Sequence, residues 1–199
     1  MPGRKELWNG SRAETRQYGD RDDQIGRFGQ LVTHECHGGG VQDSRSVKAI
    51  MPAGASSSLI VVNDEKVLDT PMDYATVRTL GADLGSASVI IIDDTVSLEW
   101  LVNKTVHFFR HESCGKCTPC REGTYWMSNI TERIRSGQGT SGDVDLLLNV
   151  AKQIQGKCLC ALGEFSTMAV VTGIERFPQD FRNAVQPAPS PAILENQRA

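Results

Sequence analysis

Three cysteines in one short segment constrain this chain more than any other feature. Cys114, Cys117 and Cys120 are each separated by two residues, in a sequence of 199 residues that contains only 6 cysteines. This C-x2-C-x2-C spacing lets three thiolates converge on one point from a single loop, which is the arrangement that holds a four-iron cluster. The rest of the chain then has to place a fourth thiolate beside this loop.

Two cysteines further along the chain are the candidates for that fourth ligand. Cys158 and Cys160 lie in the segment 156–163, and the spacing alone does not choose between them. Structural zinc sites more often use two separated C-x2-C pairs, or pairs of Cys and His. Disulfides between cysteines this close in sequence would be strained. A zinc-binding or purely structural module without redox function therefore stays as the alternative to a cluster.

The composition is that of an ordinary globular protein and sets limits on function. The chain is 39% hydrophobic and 23% charged, with a formal net charge of −3. An acidic balance argues against a general nucleic-acid binder. No apolar run approaches the roughly 18 residues that span a bilayer, and the first residues lack the apolar core of a signal peptide. These features predict a cytoplasmic protein without direct membrane insertion, in a compartment where thiols stay reduced.

The first half of the chain predicts a disordered lead-in followed by a small α+β unit. Residues 1–36 are polar and show neither helical nor strand periodicity. Between residues 37 and 94, strands are predicted at 46–51, ending at Pro52, at 58–62, and at 87–92. The last of these is continuously apolar and β-branched, as in a strand buried on both faces. A helix is predicted from Tyr74, with Asp73 as its N-cap and glycines after its end.

Beyond residue 94 the apolar residues recur at helical spacing. Four amphipathic helices with short connections predict a four-helix bundle over 95–183, and the proline-rich segment 184–199 predicts a disordered tail. Asp94 or Thr95 is the predicted N-cap of the first helix and Thr118 that of the second, with Pro119 in its first turn. The predicted buried stripes are Leu98, Leu101, Val102, Thr105, Phe108 and Phe109; Gly123, Trp126, Met127, Ile130 and Ile134; Leu147, Val150, Ala151 and Ile154; and Phe165, Met168, Ala169 and Thr172.

This helix order brings the cysteines together. The C-x2-C-x2-C loop joins the first and second helices, and Cys158 and Cys160 lie in the turn between the third and fourth. In an up-down-up-down bundle the connections after the first and third helices fall at the same end. We therefore expect a fourth thiolate beside the other three, despite its distance along the chain.

Two cations next to the cysteines are candidates for tuning a bound cluster. Lys116 lies between two of the cysteines and Arg121 directly follows the third. Charge, hydrogen bonds to sulfur and solvent exposure set the reduction potential of such clusters. Neutralising either cation is expected to lower that potential, because positive charge favours the more negative, reduced state.

Two other patterns are weaker. His107 and His111 are spaced one helical turn apart and could act as a pair of ligands, although ordinary helix residues are the better interpretation. The segment 137–142 matches G-x-G-x-x-G, but the dinucleotide fingerprint requires a preceding strand and a βαβ unit. Because a predicted helix precedes this segment, an interhelical loop is the better interpretation.

At the cysteines the chain resembles the NADH-binding flavoprotein subunit of respiratory complex I, the F subunit of NADH:quinone oxidoreductase. The matching residues are 111–123 and 160–163, with weaker matches at 47–52, 68–73 and 84–85, so the similarity spans roughly 37–183. The resemblance implies a partial β-grasp domain of the soluble-ligand-binding type over 37–94, then a helical bundle carrying one [4Fe–4S] cluster. It assigns Cys114, Cys117, Cys120 and Cys160 as the ligands, and leaves Cys158 as a non-ligand.

The resemblance also implies an electron-transfer function. In the family, FMN takes hydride from NADH and passes single electrons to this cluster. The implied partners are other subunits of the peripheral arm of complex I, including a [2Fe–2S] subunit, at the cytoplasmic face of the membrane. No residue here matches the FMN- and NADH-binding loop of the family, so the chain is expected to be inactive alone, whether a fragment, a split subunit or a degenerate copy. A diaphorase-subunit module of an NAD-linked hydrogenase or formate dehydrogenase is the alternative.

Overall fold

The structure is a computed structural model that describes residues 27–29, 41, 45–63, 65–85 and 88–185. The chain divides into two compact units, one ending at Val96 and the other beginning at Ser97. The predicted tail from residue 186 onward, and most of the predicted lead-in, lie outside the described residues. No helix among the described residues is long and apolar enough to cross a membrane.

The first unit contains a small mixed α/β core. Within the described residues, strand β1 (Val47–Ala55) lies between β2 (Ile60–Val61) and β3 (Ile90–Asp93), and both pairings are antiparallel. Two short helices, α1 (Glu65–Leu68) and α2 (Tyr74–Thr79), lie between β2 and β3 in the chain. The buried cluster consists of Phe28, Ile50, Ile60, Val77, Ala82 and Leu84.

Strand β1 runs further than the sequence predicted. The prediction that it ends at Pro52 is wrong, because the strand continues to Ala55. Its pairs with β3 run from Val47 opposite Asp93 to Met51 opposite Ile90. Pro52 follows the last of these pairs, so its missing N–H removes no hydrogen bond from that ladder. A proline can therefore lie inside the strand without ending it.

Strand β3 is only partly buried. It begins at Ile90, whose side chain is 38% exposed, whereas Ile92 is 3% exposed and Ile91 packs against the core. The predicted burial on both faces is therefore confined to Ile91 and Ile92. The sheet is antiparallel, and such sheets do not require full cover on both faces.

Two local predictions in this unit have different outcomes. Asp73 is the N-cap of α2, as predicted, and accepts a hydrogen bond from the backbone N–H of Thr76 at 2.8 Å.

Phe28, in contrast, falls in the segment predicted to be disordered. It is fully buried, and its N–H donates to the Thr70 carbonyl oxygen at 3.3 Å. One aromatic residue in a polar segment gave no periodic signal, although its burial removes a large apolar surface from water.

The second unit is helical. Its described helices are α3 (Leu98–Glu112), α4 (Thr118–Arg135), α5 (Ser141–Ile154), α6 (Leu162–Arg176) and α7 (Pro178–Ala184). Helix α3 packs against α4, α4 against α5, α5 against α6, and α6 against α3. The four predicted helices are present, and α7 is an additional short helix that the sequence analysis missed.

Helix α7 completes the start of α3. The N-cap of α3 is Ser97, so the prediction of Asp94 or Thr95 is wrong. Ser97 makes no capping hydrogen bond through its side chain. The carboxylate of Asp180 in α7 instead accepts a hydrogen bond from the Leu98 N–H at 2.7 Å, while the neighbouring Phe181 is buried. A distant carboxylate thus satisfies an N–H that local sequence leaves free.

The predicted helix stripes contain three errors. Phe108 is 50% exposed, Trp126 is 53% exposed and Phe165 is 37% exposed. The neighbours Phe109 and Met127 are buried instead. Consecutive helix positions differ by about 100° around the axis, so adjacent apolar residues cannot all face the core. Sequence alone does not show which of two neighbouring large residues is buried.

A buried carboxylate lies where α3 meets α4. Glu99 is 8% exposed, and its Oε2 is 3.5 Å from Nη1 of Arg135, while Oε1 makes no hydrogen bond to the described residues. Burial raises the pKa of Glu99, Arg135 opposes that shift, and Glu132 adds to it. Further along the same contact, Asn103 donates to Thr131 at 3.2 Å. The contact between these helices is thus partly polar.

Candidate metal centre

The two cysteine-bearing loops of the helical unit meet. One joins α3 to α4 through residues 113–117, and the other joins α5 to α6 through residues 155–161. The backbone N–H of Leu159 in the second loop donates a hydrogen bond to Sγ of Cys117 in the first, at 3.3 Å. This contact confirms that the two loops fall at the same end of the helices.

The cysteines of the first loop differ in exposure. Cys114 is exposed, Cys117 is half-buried, and Cys120 is only 6% exposed. Cys117, rather than the predicted Thr118, is the N-cap of α4, and Pro119 lies in the first turn as expected. Cys120 therefore lies in the first turn of α4, close to the unpaired backbone N–H groups at the start of the helix.

The cysteines of the second loop differ in the same way. Cys158 is half-buried, with Sγ 3.9 Å from the Ile154 carbonyl oxygen, and a Cβ added at Gly163 would lie 2.5 Å from that sulfur. Burial raises the pKa of Cys158, and the nearby Cys120 and Cys117 thiols raise it further. The sulfur of Cys158 therefore lies near the thiols of Cys117 and Cys120. Cys160 is exposed.

The donor set has the chemistry of an iron–sulfur site. Across the described ranges, no three side chains of His, Cys, Asp or Glu lie close enough together to hold a metal ion. The groups that the two loops bring to one end are nevertheless five thiols: Cys114, Cys117, Cys120, Cys158 and Cys160. An N–H donor already directed at Cys117 Sγ is the kind of hydrogen bond that cluster sulfurs accept. In the chemistry of their donor atoms, the residues present fit a cluster held by four thiolates.

The two predicted tuning cations have different surroundings. Lys116 is exposed in the first loop. Arg121 instead reaches back over that loop: its Nη1 donates to the Gly115 carbonyl oxygen at 2.8 Å, and its Nε lies 2.8 Å from Glu122 Oε1. Gly115 has a φ of 76°, a conformation that favours glycine. Arg121 thus holds the loop in place in addition to supplying charge.

An open pocket lies beside the first loop. Its volume is about 340 Å³, and the guanidinium of Arg110 lies 4.7 Å from the ring centre of Tyr125 at its wall. The residues that line it are Arg110, Ser113, Gly115, Arg121, Glu122 and Tyr125. The cysteine loop is therefore accessible from solvent on the side of the two arginines.

The weaker sequence patterns have ordinary structural roles. His107 Nε2 lies 3.4 Å from Glu132, whereas His111 Nδ1 lies 2.9 Å from Glu112. Each histidine therefore has its own carboxylate partner. Segment 137–142 contains the connection between α4 and α5, and Thr140 caps α5 in a reciprocal pair of hydrogen bonds with Asp143. This glycine-rich segment follows a helix, as the sequence predicted.

The sequence analysis missed two hydrogen bonds to sulfur. Besides the Leu159 N–H, Oγ of Ser113 lies 3.3 Å from Sγ of Cys120. The only available signal was position, since Ser113 directly precedes the first cysteine and Leu159 lies between the last two. Such a signal names a residue but does not say in which direction its polar group points.

A match to a known family covers both cysteine loops. Residues 100–184 match the family described as "NADH-ubiquinone oxidoreductase-F iron-sulfur binding region". Over these residues the chain is similar to that family. The resemblance drawn from the cysteine motifs is thereby confirmed, and the iron–sulfur binding region contains the complete set of five thiols described above.

The similarity to individual proteins extends beyond the iron–sulfur binding region. The NADH-quinone oxidoreductase F subunit 2 of Rhizobium meliloti (strain 1021) is 40% identical over 147 residues, which are 74% of this chain and 34% of that protein. The F subunit of the Mycobacterium bovis NADH-quinone oxidoreductase is 39% identical over 145 residues, which are 73% of this chain and 32% of that protein. The chain therefore spans about a third of the length of these relatives.

A solved structure has a similar fold. The crystal structure of an NAD+-reducing [NiFe]-hydrogenase in the air-oxidized state matches with a TM-score of 0.69 and 25% sequence identity. The match covers 83% of this chain and 27% of the hydrogenase chain. It supports the mixed α/β architecture, with its small antiparallel sheet and several helices.

Proposed function

We propose that this chain relays electrons through a [4Fe–4S] cluster as part of an NADH:quinone oxidoreductase of the complex I type. The observation that carries the proposal is the meeting of the two cysteine loops at one end of the helices, through the hydrogen bond from Leu159 N–H to Cys117 Sγ. A bound cluster would supply one-electron redox chemistry in this region. The family of the iron–sulfur binding region and the NADH-quinone oxidoreductase relatives support the same function.

The proposed ligands are Cys114, Cys117, Cys120 and Cys160. The choice of Cys160 rests on its position directly before Ala161-Leu162-Gly163, as the resemblance implies. The choice rests on the resemblance, since in the structure Cys158 packs against Gly163 and lies near Cys117 and Cys120, whereas Cys160 is exposed. Cys158 would then be a packing residue whose sulfur helps to hold the second loop.

Other residues would act on the cluster without binding it. Lys116 and Arg121 place positive charge beside a group of negative charge, which favours the reduced state. Arg121 also fixes the Gly115 carbonyl, so that the first loop keeps its shape when an electron arrives or leaves. No group in the loops is proposed as a catalytic acid or base.

The finer architecture belongs to the same proposal. The first unit would be a partial β-grasp domain of the soluble-ligand-binding type over 37–94, and the second a four-helix bundle over 95–183 that carries the cluster. The proposed partners are the other subunits of the peripheral arm, including a [2Fe–2S] subunit. FMN and NADH would be bound by residues that this chain does not supply.

A second candidate function comes from the structural match. The similarity to the chain of an NAD+-reducing [NiFe]-hydrogenase favours a diaphorase module in an NAD-linked hydrogenase, with the same cluster and the same flow of electrons. The two candidates differ in the final electron acceptor rather than in the chemistry of this chain. Only a chain that holds zinc or no metal would contradict both.

The electron relay can be tested with the purified full chain under anaerobic conditions. We expect NADH alone to leave the visible spectrum unchanged, because no stretch of the sequence matches the family's FMN- and NADH-binding loop and a bound flavin would be needed to take the hydride. Adding a catalytic amount of an NADH-oxidising flavoprotein together with NADH should bleach the cluster absorption and produce an EPR signal. Reduction of an artificial acceptor by NADH and the chain alone would contradict the proposal that a separate flavin-binding protein must oxidise the NADH.

A further inference from the structure

We infer that Ser113 is a positioning residue whose hydroxyl donates a hydrogen bond to the sulfur of Cys120 and raises the reduction potential of the bound cluster. The inference rests on the proposed function, since it concerns a ligand of the proposed cluster. It adds a residue that acts through a ligand and that lies outside the cysteine motif. Its basis is the 3.3 Å distance from Ser113 Oγ to Cys120 Sγ.

The direction of this hydrogen bond follows from proton counting. Between a free thiol and a hydroxyl, either group can donate. A cysteine that binds iron does so as a thiolate and has no proton to give. The Ser113 oxygen also accepts a hydrogen bond from the Gly115 N–H at 3.4 Å. Its own proton therefore remains available for the sulfur of Cys120.

The surroundings hold both partners in place. Cys120 is 6% exposed, so a water molecule cannot easily replace the hydroxyl at its sulfur. The carbonyl oxygen of Cys120 accepts a hydrogen bond from Thr124 Oγ1 at 2.8 Å, which fixes the backbone on the other side. Arg121 fixes the Gly115 carbonyl at 2.8 Å. The contact between Ser113 and Cys120 thus lies in a supported turn.

The electrostatic consequence has a definite sign. Reduction places additional negative charge on the cluster and its thiolate sulfurs. A hydrogen bond to such a sulfur therefore becomes stronger in the reduced state and stabilises that state. Removing the bond should lower the midpoint potential, and the low exposure of Cys120 strengthens the effect because few waters screen it.

The test is a redox titration of the cluster-loaded full chain, followed by EPR. We expect Ser113→Ala to keep its iron and sulfide content. The equilibrium constant for reduction of the cluster should fall by up to about tenfold, which corresponds to a midpoint potential lower by about 59 mV for a one-electron couple. The matched control is Ser136→Ala. Ser136 is exposed, and its hydroxyl bonds the Arg133 carbonyl at the far end of α4. The control should leave the potential unchanged.

The outcomes separate this inference from the proposed function. A wild-type chain without a cluster overturns the proposed function, whereas an unchanged potential in a cluster-loaded Ser113→Ala overturns only the role of Ser113. If Ser113→Ala does not load a cluster, the role of the hydroxyl is tested by comparing Ser113→Thr with Ser113→Val. The two side chains have nearly the same shape, and only threonine keeps the hydroxyl. The inference is supported if the threonine variant keeps a cluster near the wild-type potential and the valine variant does not, and it is overturned if the two variants behave identically.

Discussion

The Cys160→Ser variant is expected to lose the iron–sulfur cluster, whereas Cys158→Ser is expected to keep it. A serine oxygen is a poor substitute for a thiolate at iron, so replacing a true ligand leaves three sulfurs for four irons. Cys158 is half-buried, with its sulfur against Gly163 and the Ile154 carbonyl. Losing that sulfur should change packing rather than coordination.

The two serine variants should be compared by iron and sulfide analysis after anaerobic purification. We expect the cluster content of Cys160→Ser to fall at least about tenfold, within the range seen when groups that support a metal site are removed. Each variant is the control for the other, because both change one thiol in the same loop. Cluster loss in Cys158→Ser with retention in Cys160→Ser would show that the fourth ligand is Cys158.

The Ile154→Ala variant is expected to lower the free energy of unfolding of the helical unit by about 3 kcal/mol. Ile154 is 2% exposed at the end of α5, directly before the second cysteine loop. A Cβ added at Gly123 in α4 would lie 2.5 Å from its Cδ1, and one at Gly163 in α6 would lie 3.6 Å from its Cγ2. Truncation leaves a cavity between α4 and α6, next to the second cysteine loop.

Urea unfolding followed by far-UV circular dichroism can measure this loss. Leu146→Ala is the matched control, since Leu146 is in the same helix but 47% exposed. The control should change the free energy of unfolding by less than about 0.5 kcal/mol. Equal effects of the two substitutions would contradict the packing of Ile154 between α4 and α6.

The sequence predicted the parts of the fold that follow from strong local patterns. The four long helices have clear apolar periodicity, and Asp73 before Tyr74 is a typical cap. The meeting of the cysteine loops followed from the order of helices and short connections, and the hydrogen bond from Leu159 to Cys117 confirms it. These features depend on residues that are close in sequence or on simple chain topology.

The features that sequence could not predict depend on contacts between distant residues. Asp180 caps Leu98 across the helical unit, and the two lie far apart in the chain. Phe28 packs into the first unit from a polar segment without periodicity. The burial of Phe109 rather than Phe108 is decided by the exact rotation of α3 against its neighbours. None of these contacts leaves a local signal.

The site was predictable in its donors but not in its supporting groups. Cysteine spacing named three candidate ligands, Cys114, Cys117 and Cys120, because three thiolates two residues apart can converge on one cluster. The choice of Cys160 as the fourth came from the resemblance and stays a prediction. The roles of Arg121 on the Gly115 carbonyl and of Ser113 on Cys120 depend on side-chain direction. That direction is set by the turn that the first loop adopts between α3 and α4.

The most direct test of the proposed cluster is the iron and acid-labile sulfide content of the full chain, purified without exposure to oxygen. Cysteine ligation of a cube-type cluster predicts about four iron atoms and four sulfides per chain. Stoichiometric zinc, or iron without sulfide, would contradict the proposal that these cysteines form an electron-transfer centre.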